Sequence, residues 1–267
     1  MSATPPLAIF AWFGIYVPFP ERMTMIKDAG FDATSLWWEE ADERRRNLRH
    51  RMPEIVRDAG LAIDHIHVPF LCSNDLWTDS DRCREDAVHI HTAWLRDCAE
   101  HDVDCMVMHV TRAASPPPPT QEGIDSLRRI VDEGENYGVT VAIENTRSNA
   151  HIDALLEAID SPRLGLCYDS SHDHLYCPDA PALWERRQDR VVTTHFCDTD
   201  GKRDQHWLPG AGVIDFKEAY GGSVATDADY RILLEVVPAE RETIAEAFLA
   251  EAHAAGRELC KSLASEV

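Results

Sequence analysis

Short runs rich in β-branched and aromatic residues recur eight times along the chain, each followed by a longer amphipathic stretch. The runs are Leu7 to Phe13, Ala33 to Trp38, Ile63 to Val68, Cys105 to Val110, Thr140 to Asn145, Leu164 to Asp169, Val191 to Cys197 and Ile232 to Val237. They begin about 32 residues apart, close to the ~30 residues that a strand with its crossover helix requires. Eight such units in 267 residues, with no composition break or linker, predict one domain over residues 1–267. The predicted architecture is α/β, a single closed (β/α)8 TIM barrel. A doubly wound open sheet is the alternative. Against it, no G-x-G-x-x-G follows the first run and no G-x-x-x-x-G-K-[ST] occurs anywhere.

The stretches between the runs carry helix signals. Cys83, Ala87, Ile90, Trp94 and Cys98 recur at steps of four, three, four and four, which predicts one buried stripe. Thr120 ahead of Gln121 and Glu122 is a predicted N-cap with an acid in the first turn. Gly30, Gly60 and Gly138 each stand where a left-handed residue would end a helix, with an apolar residue next to start a strand. Pro116 to Pro119, after the fourth run, would stiffen a rim or serve as a plain spacer.

Charge narrows the function. With 26 basic and 47 acidic residues the formal net charge is −21, so the molecule repels phosphate backbones and anionic lipid, and nucleic acid is disfavoured as a partner. The composition, 44% apolar and 27% charged, is that of a globular chain rather than a disordered one. None of the eight cysteines forms a C-x-x-C pair, which removes zinc ribbons and dithiol redox motifs and fits a reducing cytoplasm. Leu7 to Pro20, the apolar part of the longest uncharged stretch, is too short and too interrupted by proline to span a bilayer, and no basic residue precedes it as in a signal peptide. A soluble cytoplasmic protein is the expectation.

Ligand-type residues fall at the ends of six runs: His65 and His67, His109, Glu144 with Asn145, Asp169, His195, and Glu235. In a barrel these ends meet at one mouth, where catalytic residues are found. Glu144, Asp169, His195 and Glu235 offer three carboxylates and one imidazole, a donor set suited to Mn²⁺, Mg²⁺ or Co²⁺ and able to hold Zn²⁺. Any one of them alone reads as a salt-bridged or hydrogen-bonded packing residue. Four together would repel and lose solvation without a cation between them.

The ordered motifs I-E-N-T at 143–146, Y-D-x-x-H at 168–172, H-F-C-D at 195–198, R-D-x-H at 203–206, L-P-G-x-G at 208–212 and L-L-E at 233–235 resemble the xylose isomerase-like TIM-barrel superfamily. The resemblance is to its sugar phosphate isomerase/epimerase branch, which is related to type IV apurinic endonucleases. It implies a metal-dependent enzyme of carbohydrate metabolism, with Glu144, Asp169, His195 and Glu235 holding one divalent ion, Mn²⁺ first, and Glu144 and Glu235 as the acid/base pair. It also implies that His67, His109, His172, Arg203, Asp204 and His206 meet the substrate, a small sugar or polyol. Two departures stand out. Arg203 lies farther from His195 than the comparable arginine of ketose epimerases, and Ala211 replaces a common glutamate.

His67, His109, Glu144, Asp169, His172, His195, Asp204, His206 and Glu235 also match the full ligand set of the type IV endonucleases, which hold three zinc ions. Charge argues for sugar chemistry, because the loop from Asp75 to Asp81 is short and acidic where DNA would need basic loops. Trp12, Phe13, Trp37, Trp38, Trp77 and Trp207 are available near the mouth to pack on a sugar, although one of Trp37 and Trp38 must face the helices. The expected function is a sugar or polyol isomerase or epimerase working by proton abstraction next to a carbonyl. An inosose-type dehydratase on the same metal site and a zinc phosphodiesterase are the alternatives, and a homo-oligomer is left open.

Overall fold

The computed structural model describes residues 5–38, 49–112, 115–177, 182–222, 232–240 and 242–264. Eight parallel strands form one sheet: β1 (Leu7–Phe10), β2 (Ala33–Trp37), β3 (Ala62–His67), β4 (Cys105–His109), β5 (Thr140–Glu144), β6 (Leu164–Asp169), β7 (Val191–His195) and β8 (Ile232–Leu234). Their spatial order is β7-β6-β5-β4-β3-β2-β1-β8, so chain neighbours are also sheet neighbours and β8 returns to lie against β1. The ring is completed by the parallel bridge Phe196↔Leu234 just past β7, with Phe196 N–H donating to the Leu233 carbonyl at 2.9 Å. This is a nearly closed (β/α)8 barrel, as the eightfold alternation predicts.

The helix signals are realised with one shift. Thr120 Oγ1 accepts from Gly123 N–H at 3.2 Å and opens the helix Gln121–Tyr137, which ends at Gly138 with φ +72°. Gly30 (φ +100°) and Gly60 (φ +77°) close the helices Phe19–Asp28 and Met52–Asp58 in the same left-handed way. In the helix Asp81–Glu100 the buried face is Ala87, Val88, His91, Trp94, Leu95 and Cys98, whereas Cys83 and Ile90 of the predicted stripe are exposed. The face is rotated because His91 is a core residue here. Its ring packs on Trp94, its Nδ1 donates to the Ala87 carbonyl at 2.7 Å, and burial pushes its pKa down to about 4, so it is neutral.

Most apolar side chains lie between strands and helices, and two smaller clusters stand apart from that layer: Ala8, Phe10, Ala33 and Leu233, and Cys105, Val107, Ala142 and Cys167. All eight cysteines are free. Among the described residues no helix is long and apolar enough to cross a membrane.

Two bulges shape the inside of the barrel. Thr34 pairs with Ile63 and Leu36 with Ile66, so β3 spends three residues where β2 spends two. Leu166 pairs with Val191 and Cys167 with Thr193, so β7 also carries one extra residue. A bulge re-aims side chains that strict alternation would send to the other face. As a result Asp64 reaches the Thr193 hydroxyl (2.6 Å) from β3 to β7, while its neighbour His65 reaches the His195 ring.

Candidate active site

Glu144, the last residue of β5, is the hub of the barrel mouth. Its Oε2 lies 3.0 Å from His67 Nε2, 3.1 Å from His109 Nε2 and 3.4 Å from His195 Nδ1, and its Oε1 lies 3.2 Å from His172 Nδ1. Burial alone would raise its pKa, but the His109 and His195 imidazoles hold the carboxyl well below the usual carboxylate range. Asp169 ends β6 and caps the helix Ser170–Tyr176, its Oδ1 accepting from His172 N–H at 2.7 Å. The Asn145 amide clamps the backbone beneath it, donating to Asp169 O and accepting from Asp169 N–H, both at 2.8 Å. Glu235, one residue past β8, lies 2.9 Å from His195 Nδ1. Burial works against its charge, and His195 and His206 overcome it, bringing its pKa down to about 2.

The imidazoles share one arrangement. His67 Nδ1 lies 3.0 Å from Val68 O, His172 Nδ1 3.1 Å from Asn145 O, and His206 Nδ1 3.1 Å from Glu235 O. A carbonyl only accepts, so each of these nitrogens carries the N–H and the opposite nitrogen is turned toward a carboxylate. For His67 the opposite nitrogen faces Glu144 at 3.0 Å, and for His172 and His206 it faces Asp204 at 3.0 and 3.1 Å. Holding one ring nitrogen with a protein acceptor while the other faces an anionic pocket is how metal-ligating histidines are oriented. His206 reaches its position with a left-handed φ of +50°, a conformation costly for a non-glycine residue, fixed here by the Val237 N–H, which donates to the His206 carbonyl at 2.8 Å, and by the backbone pair between Trp207 and Asp198.

Burial opposes charge on His172, His195 and His206, yet their neighbours raise all three well above the ordinary histidine value: Asp169, Asp204 and Glu144 around His172, Cys167 with Glu235 and Glu144 around His195, and Cys197 with Glu235 and Asp204 around His206. Protons therefore balance these acids in the protein alone. Glu144 Oε1 and His195 Nδ1 are buried without a hydrogen-bond partner, and ligand atoms of Glu144, Asp169, His195 and Glu235 all lie within 4.8 Å of one another. Three carboxylates and a pre-oriented imidazole with unsatisfied buried donors fit a divalent cation. Three further groups among the described residues meet the same distance limit: His67 with His109 and Glu144, Glu144 with Cys167 and His195, and Asp169 with His172 and His206.

Nearly all the residues expected at the site are thus brought together: His67, His109, Glu144, Asp169, His172, His195, Asp204, His206 and Glu235 form one connected cluster. Arg203 is exposed on the following loop, its N–H held by Asp200 Oδ1 at 3.0 Å, and it stands outside the cluster. Trp12 lies on the loop after β1 and lines a cavity of about 700 Å³ that also includes Glu235 and Trp37. Trp38 points the other way, fully buried, with Nε1 donating to Asp97 Oδ2 at 2.8 Å. Phe13 and Trp77 are core residues, packed on Phe248 and bonded to the Val110 carbonyl respectively, so neither faces the mouth.

Sequence reasoning left three contributors unassigned. His65 and Asp64 hold His195 from within the barrel: His65 Nδ1 lies 2.9 Å from Asp64 Oδ2 and His65 Nε2 lies 3.3 Å from His195 Nε2. The signal was the His65-Ile66-His67 spacing, which puts two imidazoles on one strand face. Asp198 organises the next loop by accepting from the backbone N–H groups of Thr199, Gly210, Gly212 and Ile214 at 2.8 to 3.1 Å. Gly212 is required there, since a Cβ would meet Thr199 O at 2.2 Å.

Residues 23–252 match the family model described as the xylose isomerase-like TIM barrel. The chain belongs to that family. Within it, the chain is 34% identical over 113 residues to an uncharacterised protein, y4fM, of Sinorhizobium fredii, covering 42% of this chain and 36% of that protein. It is 30% identical over 109 residues to a 3-oxo-isoapionate decarboxylase of Pectobacterium atrosepticum, covering 37% and 40%. It is also 28% identical over 143 residues to an inosose dehydratase of Halalkalibacterium halodurans, covering 45% of each. The chain thus aligns with less than half the length of these relatives. Among solved structures, an L-ribulose 3-epimerase superposes with a TM-score of 0.77 at 16% identity over 96% of both chains. The 3-keto-D-glucoside 4-epimerase YcjR of E. coli does so with a TM-score of 0.74 at 15% identity over 96% of this chain and 99% of that one.

Proposed function

We propose that this xylose isomerase-like barrel is a divalent-metal-dependent sugar or polyol isomerase or epimerase. The observation that carries the reading is the convergence of two carboxylates on one imidazole: Glu235 at 2.9 Å and Glu144 at 3.4 Å from His195 Nδ1. Glu144, Asp169, His195 and Glu235 would hold the ion, with Mn²⁺ first on the oxygen-rich donor set. A bound cation lowers the cost of the enolate charge that forms when a proton leaves the carbon next to a carbonyl.

The protein's own groups do the rest. One of Glu144 and Glu235, ionised, would take the proton from one face of the substrate carbon, while the other, carrying a proton of its own, would deliver that proton to the opposite face. In the protein alone both are held charged, so either can serve as the base, and the one that acts as acid must first take up a proton. A carboxylate with so low a pKa is a weak base, so the rate rests mainly on stabilising the enolate. His67, His109, His172, Asp204 and His206 surround the reacting atoms with hydrogen-bonding groups for hydroxyls, and Trp12 offers a flat face to the ring. Arg203 would reach a substrate hydroxyl or phosphate from the loop.

The relatives' names support this chemistry. Epimerisation next to a ketone, loss of water from an inosose and decarboxylation of a 3-oxo acid all pass through a carbanion beside a carbonyl. Eight free cysteines accord with work in the cytoplasm. The test is to load the purified protein with Mn²⁺ and incubate it with ketohexoses, inososes and 3-keto-glucosides, following products by NMR and mass. A new epimer of unchanged mass supports the reading, and loss of water moves it to a dehydratase.

A second reading has its own observation. Metal-ligand groups linked through Glu144 and Asp169, with His67 and His109 on one side and His172 and His206 on the other, suit a multinuclear zinc phosphodiesterase. The charge of −21 argues against a nucleic-acid substrate. One tightly bound ion per chain favours the isomerase, and three zinc ions with nicking of abasic DNA favours the phosphodiesterase.

A further inference from the structure

The cavity of about 700 Å³ beside Glu235 is of a size that takes a drug-sized molecule. Its wall is built from Phe10, Trp12, Tyr16, Phe19 and Trp37. Trp12 and Tyr16 are 43% and 66% exposed, large rings left open to solvent at the entrance.

The polar capacity of this wall is small. Among the described residues the two cationic ones in the lining are both engaged. Arg22 donates to the Ala11 carbonyl at 3.1 Å and the Val17 carbonyl at 2.8 Å, with its guanidinium over the Trp12 and Phe19 rings. Arg49 lies 3.7 Å from Asp97 Oδ2 and over the Trp38 ring. A polyol placed here would give up water at each hydroxyl and recover few bonds, and a phosphate would find its candidate cations already committed. An apolar group loses nothing by entering.

The wall runs without a break into the reaction centre. Phe10 meets the His195 ring edge to face at 5.9 Å and the Trp37 ring at 6.1 Å, and Trp37 stacks on His67 at 5.2 Å. A substrate whose reacting ring sits at Glu144 and Glu235 would therefore project a substituent on the Glu235 side directly between aromatic faces. We propose that this cavity is an aryl-binding subsite, and that the substrate is a sugar or cyclitol ring carrying an aryl substituent rather than a bare sugar or sugar phosphate. The proposal rests on the proton-transfer reading for which carbon lies at the carboxylates, but not for what fills the cavity.

Binding tests it separately from turnover. The Mn²⁺-loaded protein is titrated calorimetrically with phenyl β-D-glucopyranoside and with methyl β-D-glucopyranoside. The phenyl glycoside should bind about tenfold more tightly, the scale of one well-stacked ring. Tyr16→Ala should remove most of that preference while leaving the methyl glycoside affinity unchanged, whereas Trp12→Ala, whose ring also faces the sugar, should weaken both glycosides and the phenyl one more; both sites are exposed enough to be altered without unfolding the barrel. Equal binding of the two glycosides, no binding of either, or a phenyl preference that survives both variants would overturn the subsite. So would a Trp12→Ala variant that changes only the mass in solution, since the wall would then be a contact between copies. If the phenyl preference appears and no ketone is epimerised, the subsite stands and the isomerase reading falls.

Discussion

His195 Nε2 lies 3.3 Å from Nε2 of His65, whose Nδ1 is held 2.9 Å from Asp64 Oδ2, and this contact decides which nitrogen of His195 faces the carboxylates. Burial pushes the His65 pKa down to about 4, so the ring is neutral, carries its proton toward Asp64 and accepts from His195 Nε2–H. His195 Nδ1 is thereby left for Glu144, Glu235 and a cation. His65→Ala should lower metal affinity roughly 10- to 100-fold, the usual effect of losing a partner behind a ligand, and His65→Gln should recover part of it through its amide oxygen. Chelator competition reads the affinity. Wild-type affinity in His65→Ala would mean His195 is oriented by something else.

Metal uptake should be coupled to pH. In the protein alone His172, His195 and His206 have pKa values raised well above 6.5, so a cation entering the site displaces protons and binds less tightly as pH falls. The same shifts bear on stability. A raised histidine contributes stability that is fully present below its unfolded value near 6.5 and is lost as pH rises toward the folded one. The metal-free protein should therefore lose melting temperature as pH rises above 6.5, and the loaded protein should not. Parallel curves with and without metal would contradict this.

The two glutamates should separate base from ligand. Glu144→Gln and Glu235→Gln keep one ligand oxygen and remove the base, so each should lower turnover by roughly 10² to 10⁴ while retaining metal. Glu144→Gln should weaken metal binding more, because Glu144 faces four imidazoles whereas Glu235 faces His195 at 2.9 Å and His206 only at 3.9 Å. His195→Ala should lose the metal first. Wild-type turnover in both Gln variants with metal bound would leave His172 as the next candidate base.

Asp198 belongs to the loop rather than the chemistry. Its carboxylate is buried and accepts four backbone N–H bonds, so Asp198→Ala leaves the turn around Gly210 and Gly212 without acceptors. A loss of about 2 to 5 kcal/mol is expected in urea unfolding, since each charged bond is worth roughly 1.5 to 3 kcal/mol and the loop can relax in part. Asp198→Asn should cost less. A loss under about 1 kcal/mol in Asp198→Ala would show the loop held elsewhere.

The barrel was legible because strand and helix periods alternate so regularly, and all eight predicted runs contain or overlap a strand. Several runs overshoot: Val236 and Val237 continue the apolar pattern after the β8 ladder ends at Leu234, because packing outlasts pairing. Glu144, Asp169, His195 and Glu235 were legible from their place at strand ends. His65 stood among the ligand-type residues without a role and Asp64 did not stand out, because adjacent strand residues normally face opposite ways and only the extra residue in β3 turns both toward β7. The Asp198 cradle was equally hidden, since its partners are backbone groups up to sixteen residues on, which side-chain patterns do not report. The separation of Trp37 from Trp38 followed from strand alternation, but the burial of Phe13 and Trp77 depended on which helices they meet.

The most direct measurement is hydrogen exchange at the reacting carbon. The Mn²⁺-loaded protein is incubated in D₂O with a panel of ketoses, inososes and 3-keto-glucosides, and each is followed by NMR and mass spectrometry. Proton abstraction by the Glu144 and Glu235 pair predicts, for at least one of them, deuterium at a single carbon adjacent to the carbonyl together with inversion there, both abolished by chelator. A loaded, folded protein that exchanges no such hydrogen in any of these compounds but cleaves abasic DNA with three zinc ions bound would contradict the account.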